Sequence, residues 1–174
     1  VVFVDAVPEI VEALHRRRAY RVVIKDALPA GAPDCFEVSG VDGVSVSDAE
    51  TVNALVARAD LLGTAVGAAH LPSVLAAVAA GLPLRNGRPV SILFCENLHG
   101  LSAMAREVLS KHLPPSFPLA RQVGLVETSI GKMVPLMPQE VRRRDPVEVW
   151  GEAYNVIIAD RNGFAGAPPE GIGG

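Results

Sequence analysis

Three places in this chain put polar or very small residues directly behind an apolar run: Asp5 after Val1–Val4, Thr64-Ala65-Val66-Gly67 in the run that opens at Leu61, and Glu96-Asn97 after Val90–Cys95. Each residue type has a chemistry to offer. An acid closing a strand of a dinucleotide-binding sheet accepts both hydroxyls of an adenosine ribose and repels a 2′-phosphate, which favours NAD over its phosphorylated form. The same acid can equally serve the start of the next helix. Ala65 and Gly67 leave room for a cofactor to approach the backbone, although an ordinary strand-to-helix turn uses the same residues. The Asn97 carboxamide can donate an N–H to a substrate hydroxyl and to the negative charge that develops on its oxygen, or it can cap the helix that follows. What links the three is position. Ligands of doubly wound sheets bind at the C-terminal ends of the strands, and all three clusters sit at such ends.

The elements that must carry these residues follow from hydrophobic periodicity. Val1–Val4 is expected as a buried strand. Val7, Ile10, Val11 and Leu14 then make one stripe of a helix, with Pro8 suited to its first turn. Tyr20–Ile24 and Phe36–Val38 are short β-type runs around a loop containing Pro29, Gly31 and Pro33, which predicts a hairpin-like insertion over about residues 20–46. Ser47 and Glu50 have capping-box spacing ahead of a helix faced by Val52, Leu55, Val56 and Ala59. A strand over Leu61–Val66 follows, then a helix on Leu71, Val74, Leu75 and Val78 closed by Gly81. Val90–Cys95 reads as a strand, and Leu101, Met104, Ala105 and Val108 as the next helix. Pro114, Pro115 and Pro118 interrupt the pattern. Val123–Val126, Val147–Val149 and Tyr154–Ala159 are later strands. Strands alternating with helices predict an α/β fold, a Rossmann-type doubly wound and mainly parallel sheet.

Composition narrows the function classes. The chain has 174 residues, 49% hydrophobic but only 5% aromatic, suited to an aliphatic core of parallel strands and covering helices. A net charge of −3 gives no electrostatic footprint for nucleic acid. The triplets Arg16–Arg18 and Arg142–Arg144 read as solvated patches, with phosphate binding as the other reading. Cys35 and Cys95 lack metal-type spacing, and two free thiols suit a reducing cytoplasm. Cys95 ends an apolar run and is expected as a small core residue rather than a nucleophile. His15, His70, His99 and His112 are scattered, so no metal site is expected. No apolar run reaches the ~18 residues of a membrane span.

The chain opens with Val1, inside a predicted strand and without a turn or cap before it. The glycine-rich phosphate loop of a dinucleotide fold lies about 20 residues ahead of the ribose acid. If Asp5 is that acid, the loop and the first strand lie upstream of residue 1. The expected organisation is an incomplete NAD-binding domain over residues 1–166, with residues 167–174 a Pro/Gly-rich linker towards a further domain.

The segments VVFVDA (1–6), VSGVDGVS (38–45), ADLLGTAVG (59–67), ILFCENLHG (92–100), VGLVETSIGKMVP (123–135) and DPVEVWGEAYNVIIAD (145–160) resemble, in order, the long-chain polyol and hexuronate dehydrogenases, the mannitol-1-phosphate 5-dehydrogenases in particular. The resemblance implies a Rossmann-type domain followed by a mostly helical catalytic domain, and metal-free hydride transfer between NAD(H) and a sugar alcohol or sugar phosphate. It implies that Asp5 is the adenosine-ribose acid and that Thr64, Ala65, Val66 and Gly67 contact the cofactor. It also implies that Asn97, of a Cys-acid-Asn motif, lies near the nicotinamide and polarises the reacting oxygen. The family's general base is a lysine on a C-terminal helix, and no residue of this chain matches it. Many relatives read Val-Asp-Arg-Ile where this chain has Ile130-Gly131-Lys132-Met133. Lysine keeps the charge but loses the bidentate fork, so Ser129 and Lys132 are candidates for substrate contact in a diverged branch. The implied protein is a cytoplasmic enzyme with a small-molecule polyol or sugar-phosphate substrate, neither nucleic acid nor membrane as partner, and a monomer compatible with the resemblance. A hexuronate reductase and a non-catalytic NAD-binding module are the competing readings. These residues by themselves are expected to lack dehydrogenase activity.

Overall fold

The computed structural model describes residues 1–96, 98–154 and 156–170. In chain order the elements are β1 (Val2–Asp5), α1 (Pro8–Arg17), β2 (Ala19–Ile24), β3 (Cys35–Ser39), β4 (Asp42–Ser45), α2 (Ala49–Arg58), β5 (Leu61–Thr64), α3 (Leu71–Gly81), β6 (Val90–Phe94), α4 (Leu101–His112), α5 (Leu119–Gln122), β7 (Val123–Ile130), α6 (Gln139–Arg144), β8 (Val149–Gly151) and β9 (Ile157–Ala159). Short 3-10 turns cover Leu82–Arg85 and Arg161–Gly163. The chain forms two compact units: Val1–Asp48 with Gly131–Val156, and Ala49–Ile130 with the chain from Ile157 on.

In the first unit β1 and β4 pair in parallel, Val2 opposite Asp42 through Asp5 opposite Ser45. α1 lies on β4 so closely that a Cβ on Gly43 would stand 2.6 Å from the Val11 carbonyl oxygen and 2.9 Å from Leu14 Cβ. Only glycine fits that crossing. α1 begins with Pro8, whose missing N–H costs nothing in the first turn. It ends at Arg18 in the left-handed region (φ 56°), with the Arg18 N–H returning to the Leu14 carbonyl. Ala13, Leu14, Val41 and Val147 form this unit's small core. β2 pairs antiparallel with β3 and parallel with β8.

Two expectations are corrected here. The hairpin is real, but the insertion ends early: Asp42–Ser45 is a parallel partner of β1 and not part of the hairpin. Val1–Val4 is not buried. Val2, Phe3 and Val4 are each about two-fifths exposed, because β1 is hydrogen-bonded to a strand on one side only.

The second unit has a four-stranded sheet in the order β5-β6-β7-β9, parallel through β7, with β9 antiparallel at the edge. Every residue of β6 is buried, as for a central parallel strand covered on both faces. Leu71 and Leu75 of α3, Leu109 of α4, and Ile92 and Phe94 of β6 are almost completely inaccessible. Burial of each such side chain contributes about 1.5–3 kcal/mol. β5 stops at Thr64 rather than Val66, and β7 runs on to Ile130 rather than stopping at Val126. β8 covers 149–151 where a strand was expected over 147–149, and β9 is confined to 157–159. Among the described residues no helix is long and apolar enough to cross a membrane.

Candidate functional site

Register across the second unit fixes a line of strand ends. Thr64 stands opposite Phe94, and Phe94 opposite Glu127. The Cys95 N–H donates to the Thr64 carbonyl at 2.9 Å, and the Thr128 hydroxyl to the Phe94 carbonyl at 2.8 Å. The C-terminal ends of β5 and β6 are therefore bound to each other and to the middle of β7, which runs on three residues past Glu127 to pair with β9. The residues leaving β5 and β6 share one edge of the sheet.

Residues 64–67 leave that edge as a turn in which Gly67 has φ +78°. Successive N–H groups in such a turn point the same way and form an anion-binding concavity. Here the anion is internal: the Val66 and Gly67 N–H groups donate to the two oxygens of Glu96, each at 2.9 Å. Ala65 and Gly67 are exposed, and the side of Gly67 where a Cβ would project is open space. Thr64 is almost fully buried, and its Oγ1 has no hydrogen-bond partner among the described residues. A buried hydroxyl left alone is costly, and this one is enclosed by protein rather than open to solvent.

Glu127 supports the same edge. It accepts from the Gly100 N–H, the Ser102 N–H and the Ser102 hydroxyl, at the first turn of α4. The Ser102 hydroxyl foremost, with the two N–H donors, holds this carboxyl below its ordinary range against the opposing effect of burial. Cys95 is half-buried, and burial pushes its thiol up, with the Glu96 charge adding to the effect. A protonated thiol is no nucleophile, which agrees with a packing role.

In the first unit Asp5 ends β1 level with Ser45. Its Oδ1 accepts from the Val7 N–H at 2.8 Å, an Asx turn leading into α1, whose N-cap position is Val7 itself. A carboxylate has about four acceptor sites, so this bond leaves capacity for ribose hydroxyls. The Ser45 and Ser47 hydroxyls, 2.8 Å apart, lie at the neighbouring strand end and just beyond it.

The structure thus brings Thr64, Ala65, Val66 and Gly67 together with Glu96 in one unit, and Asp5 with Ser45 in the other. Asn97 lies outside the described residues. Ser129 is exposed on β7 opposite Ile158 of β9, in the second unit. Lys132 belongs to the first, its Cε over Gly151 so closely that a Cβ there would stand 2.9 Å away. Sequence reasoning left Glu96, Glu127 and Ser45 without roles. Glu96 was visible as the acid between Cys95 and Asn97, but nothing in the sequence shows which N–H groups it meets. All three arginines of the first triplet and one of the second pair with acids: Arg16 with Glu12, Arg17 with Asp145, Arg18 with Asp42 and Arg144 with Glu148. His15 meets Asp42 at 2.9 Å. Among the described residues no three His, Cys, Asp or Glu side chains are placed to hold a metal ion.

A family model described as the mannitol dehydrogenase Rossmann domain matches residues 1–171. A mannitol-1-phosphate 5-dehydrogenase of Brevibacillus brevis is 31% identical over 99% of the chain. The chain spans 44% of that relative's length. Among solved structures, a D-sorbitol dehydrogenase in substrate-free form matches 92% of the chain and 42% of its own, with TM-score 0.70 at 12% identity. The mannitol 2-dehydrogenase of Pseudomonas fluorescens, solved as a ternary complex with NAD and D-mannitol, matches 93% of the chain and 42% of its own, again with TM-score 0.70 and 12% identity.

Proposed function

The chain belongs to the mannitol dehydrogenase Rossmann-domain family, and on that footing we propose that it is the dinucleotide-binding part of an NAD-dependent oxidoreductase. Its reaction is hydride transfer between NAD(H) and a sugar alcohol or its phosphate, of the mannitol 1-phosphate to fructose 6-phosphate type. The observation that carries this reading is the edge where β5 and β6 end together. There the open Ala65–Gly67 turn meets the segment that leads into Asn97.

NAD supplies the hydride acceptor when it is bound. Asp5 accepts the adenosine-ribose hydroxyls with the lone pairs its Asx turn leaves over, and its charge disfavours a 2′-phosphate. The 64–67 turn admits the cofactor backbone. Asn97 donates an N–H to the reacting oxygen, which stabilises the charge that grows there as the proton leaves. Ser129 and Lys132 are assigned to substrate contact, Lys132 as a point charge for a phosphate or carboxylate. The base that takes the alcohol proton is a lysine with no match in this chain, and the 174 residues alone are inactive. Free Cys35 and Cys95 suit a reducing cytoplasm.

A substrate panel on the intact polypeptide tests the assignment. Reduction of NAD with mannitol 1-phosphate or mannitol, and weak reduction of NADP, is the expected result. Preference for fructuronate or tagaturonate transfers the site to a hexuronate reductase. Saturable NAD binding without turnover of any polyol or hexuronate leaves a binding module.

A further inference from the structure

We propose that Glu96 is a positioning residue for the cofactor end of the sheet: an internal anion seated in the backbone concavity of the 64–67 turn. The inference rests on the assignment of that turn to the cofactor.

Glu96 makes two bonds to consecutive N–H groups, one per carboxylate oxygen, both at 2.9 Å. Bonds of this kind between an ionised carboxylate and N–H donors are about twice as strong as neutral ones. Val66 and Gly67 follow directly on Thr64, and Glu96 follows directly on Cys95, whose own N–H is bonded to the Thr64 carbonyl. The two strand exits are therefore joined three times within a few residues. Gly67 adopts φ +78° without steric cost, so its conformation is free to vary unless bonds fix it. Among the described residues nothing lies within 4 Å of where its Cβ would project, and the turn is fixed by the carboxylate together with the His70 N–H bond to the Gly67 carbonyl.

Two consequences follow. The Val66 and Gly67 N–H groups are already used, so this concavity does not cradle a cofactor phosphate. The cofactor meets the turn through its open Cα face instead. Glu96 also immediately precedes Asn97 in the sequence, so the residue leading into Asn97 is held by the same clamp. Glu96 itself touches neither cofactor nor substrate in this account.

The test uses the intact polypeptide and three variants. Glu96→Ala empties the concavity, and formate is small enough to refill it. The expected result is a KM for NAD raised about tenfold with a much smaller fall in kcat, as the loss of about one charge-assisted contact implies. Formate restores KM along a saturating curve, and chloride at equal ionic strength does not. Glu96→Gln, which keeps one acceptor but sets an NH2 group against an N–H, falls between wild type and Glu96→Ala. Glu96→Asp recovers part of the loss. An unchanged KM, or a loss of active protein that formate leaves untouched, overturns the proposal. Should Glu96→Ala not fold, Glu96→Gln and the wild-type amide spectrum decide. The Val66 and Gly67 amide protons exchange slowly with solvent in the wild type and faster in Glu96→Gln. Amides that exchange equally fast in the two proteins overturn the clamp. The amide response does not depend on turnover. A wild-type protein that binds no NAD therefore removes the cofactor assignment, while the amides still uphold or overturn the clamp itself.

Discussion

Glu127 and Ser102 are joined twice: one carboxylate oxygen accepts from the Ser102 N–H at 3.1 Å and from the Ser102 hydroxyl at 2.7 Å. An acid in the middle of β7 thus closes the first turn of α4, a position whose free N–H groups favour negative charge. The folded-state carboxyl is held below its ordinary range, chiefly by the Ser102 hydroxyl. Its contribution to stability is therefore complete above the unfolded carboxyl range, near pH 4–5, and is lost as pH falls through the lower folded value. Glu127→Gln is expected to cost about 1 kcal/mol at pH 7. It should also flatten the loss of stability below about pH 4.5. Urea unfolding at pH 7 and at several acidic values measures both.

Asp5 is expected to govern cofactor choice. Asp5→Asn keeps an acceptor for the Val7 N–H, so the Asx turn survives, but it removes the charge that opposes a 2′-phosphate. The KM for NAD should rise several-fold and that for NADP should fall, with little change in melting temperature. Parallel kinetics with the two cofactors give the ratio directly.

Gly124 of β7 has no room for a side chain. A Cβ there would lie 2.6 Å from both the Gly163 carbonyl oxygen and Ser91 Oγ, and closer still to the Ala165 backbone N. Two of these neighbours are backbone atoms that cannot rotate away. Gly124→Ala is expected to destabilise by about 1–3 kcal/mol, visible as a lower urea midpoint with an unchanged slope.

Arg85 is a buried cation that, among the described residues, donates to the backbone carbonyls of Val56, Arg88 and Pro89 at 2.5, 3.0 and 2.8 Å. Burial first, and the Arg88 charge after it, lowers its affinity for the proton without neutralising it. Arg85→Met leaves those carbonyls short of donors and is expected to cost about 2–4 kcal/mol. Arg85→Lys should recover part of that, because one ammonium cannot reach all three as a planar fork does. Thermal or urea unfolding of the pair distinguishes lost donors from lost charge.

The alternation of strands and helices was legible because the period of each apolar run survives packing: α3 buries Leu71, Leu75 and Val78, as the spacing predicted. The exposure of Val2–Val4 was not legible, since an apolar run does not reveal how many neighbours a strand has. β4 was hidden because Asp42-Gly43-Val44-Ser45 carries turn-forming residues; its glycine is there for the α1 crossing and not for a turn. At the strand ends the residue types were readable and their bonds were not. Asp5, Thr64 and Gly67 stood out by position, whereas the partners of Glu96 lie 29 and 30 residues away in the chain and no local pattern encodes them. The 31% identical relative agrees with the resemblance carried by the short motifs, so the family was readable from the sequence.

The central claim is that NAD binds at the C-terminal ends of these strands. Titration of the isotopically labelled intact protein with NADH, followed through backbone amides, tests it most directly. The account predicts saturable shifts at Asp5–Val7, Thr64–Gly67 and Cys95–Glu96, with NADPH binding more weakly. Shifts confined to the opposite strand ends around Leu61, Val90 and Val123, or no saturable shift at all, would contradict it.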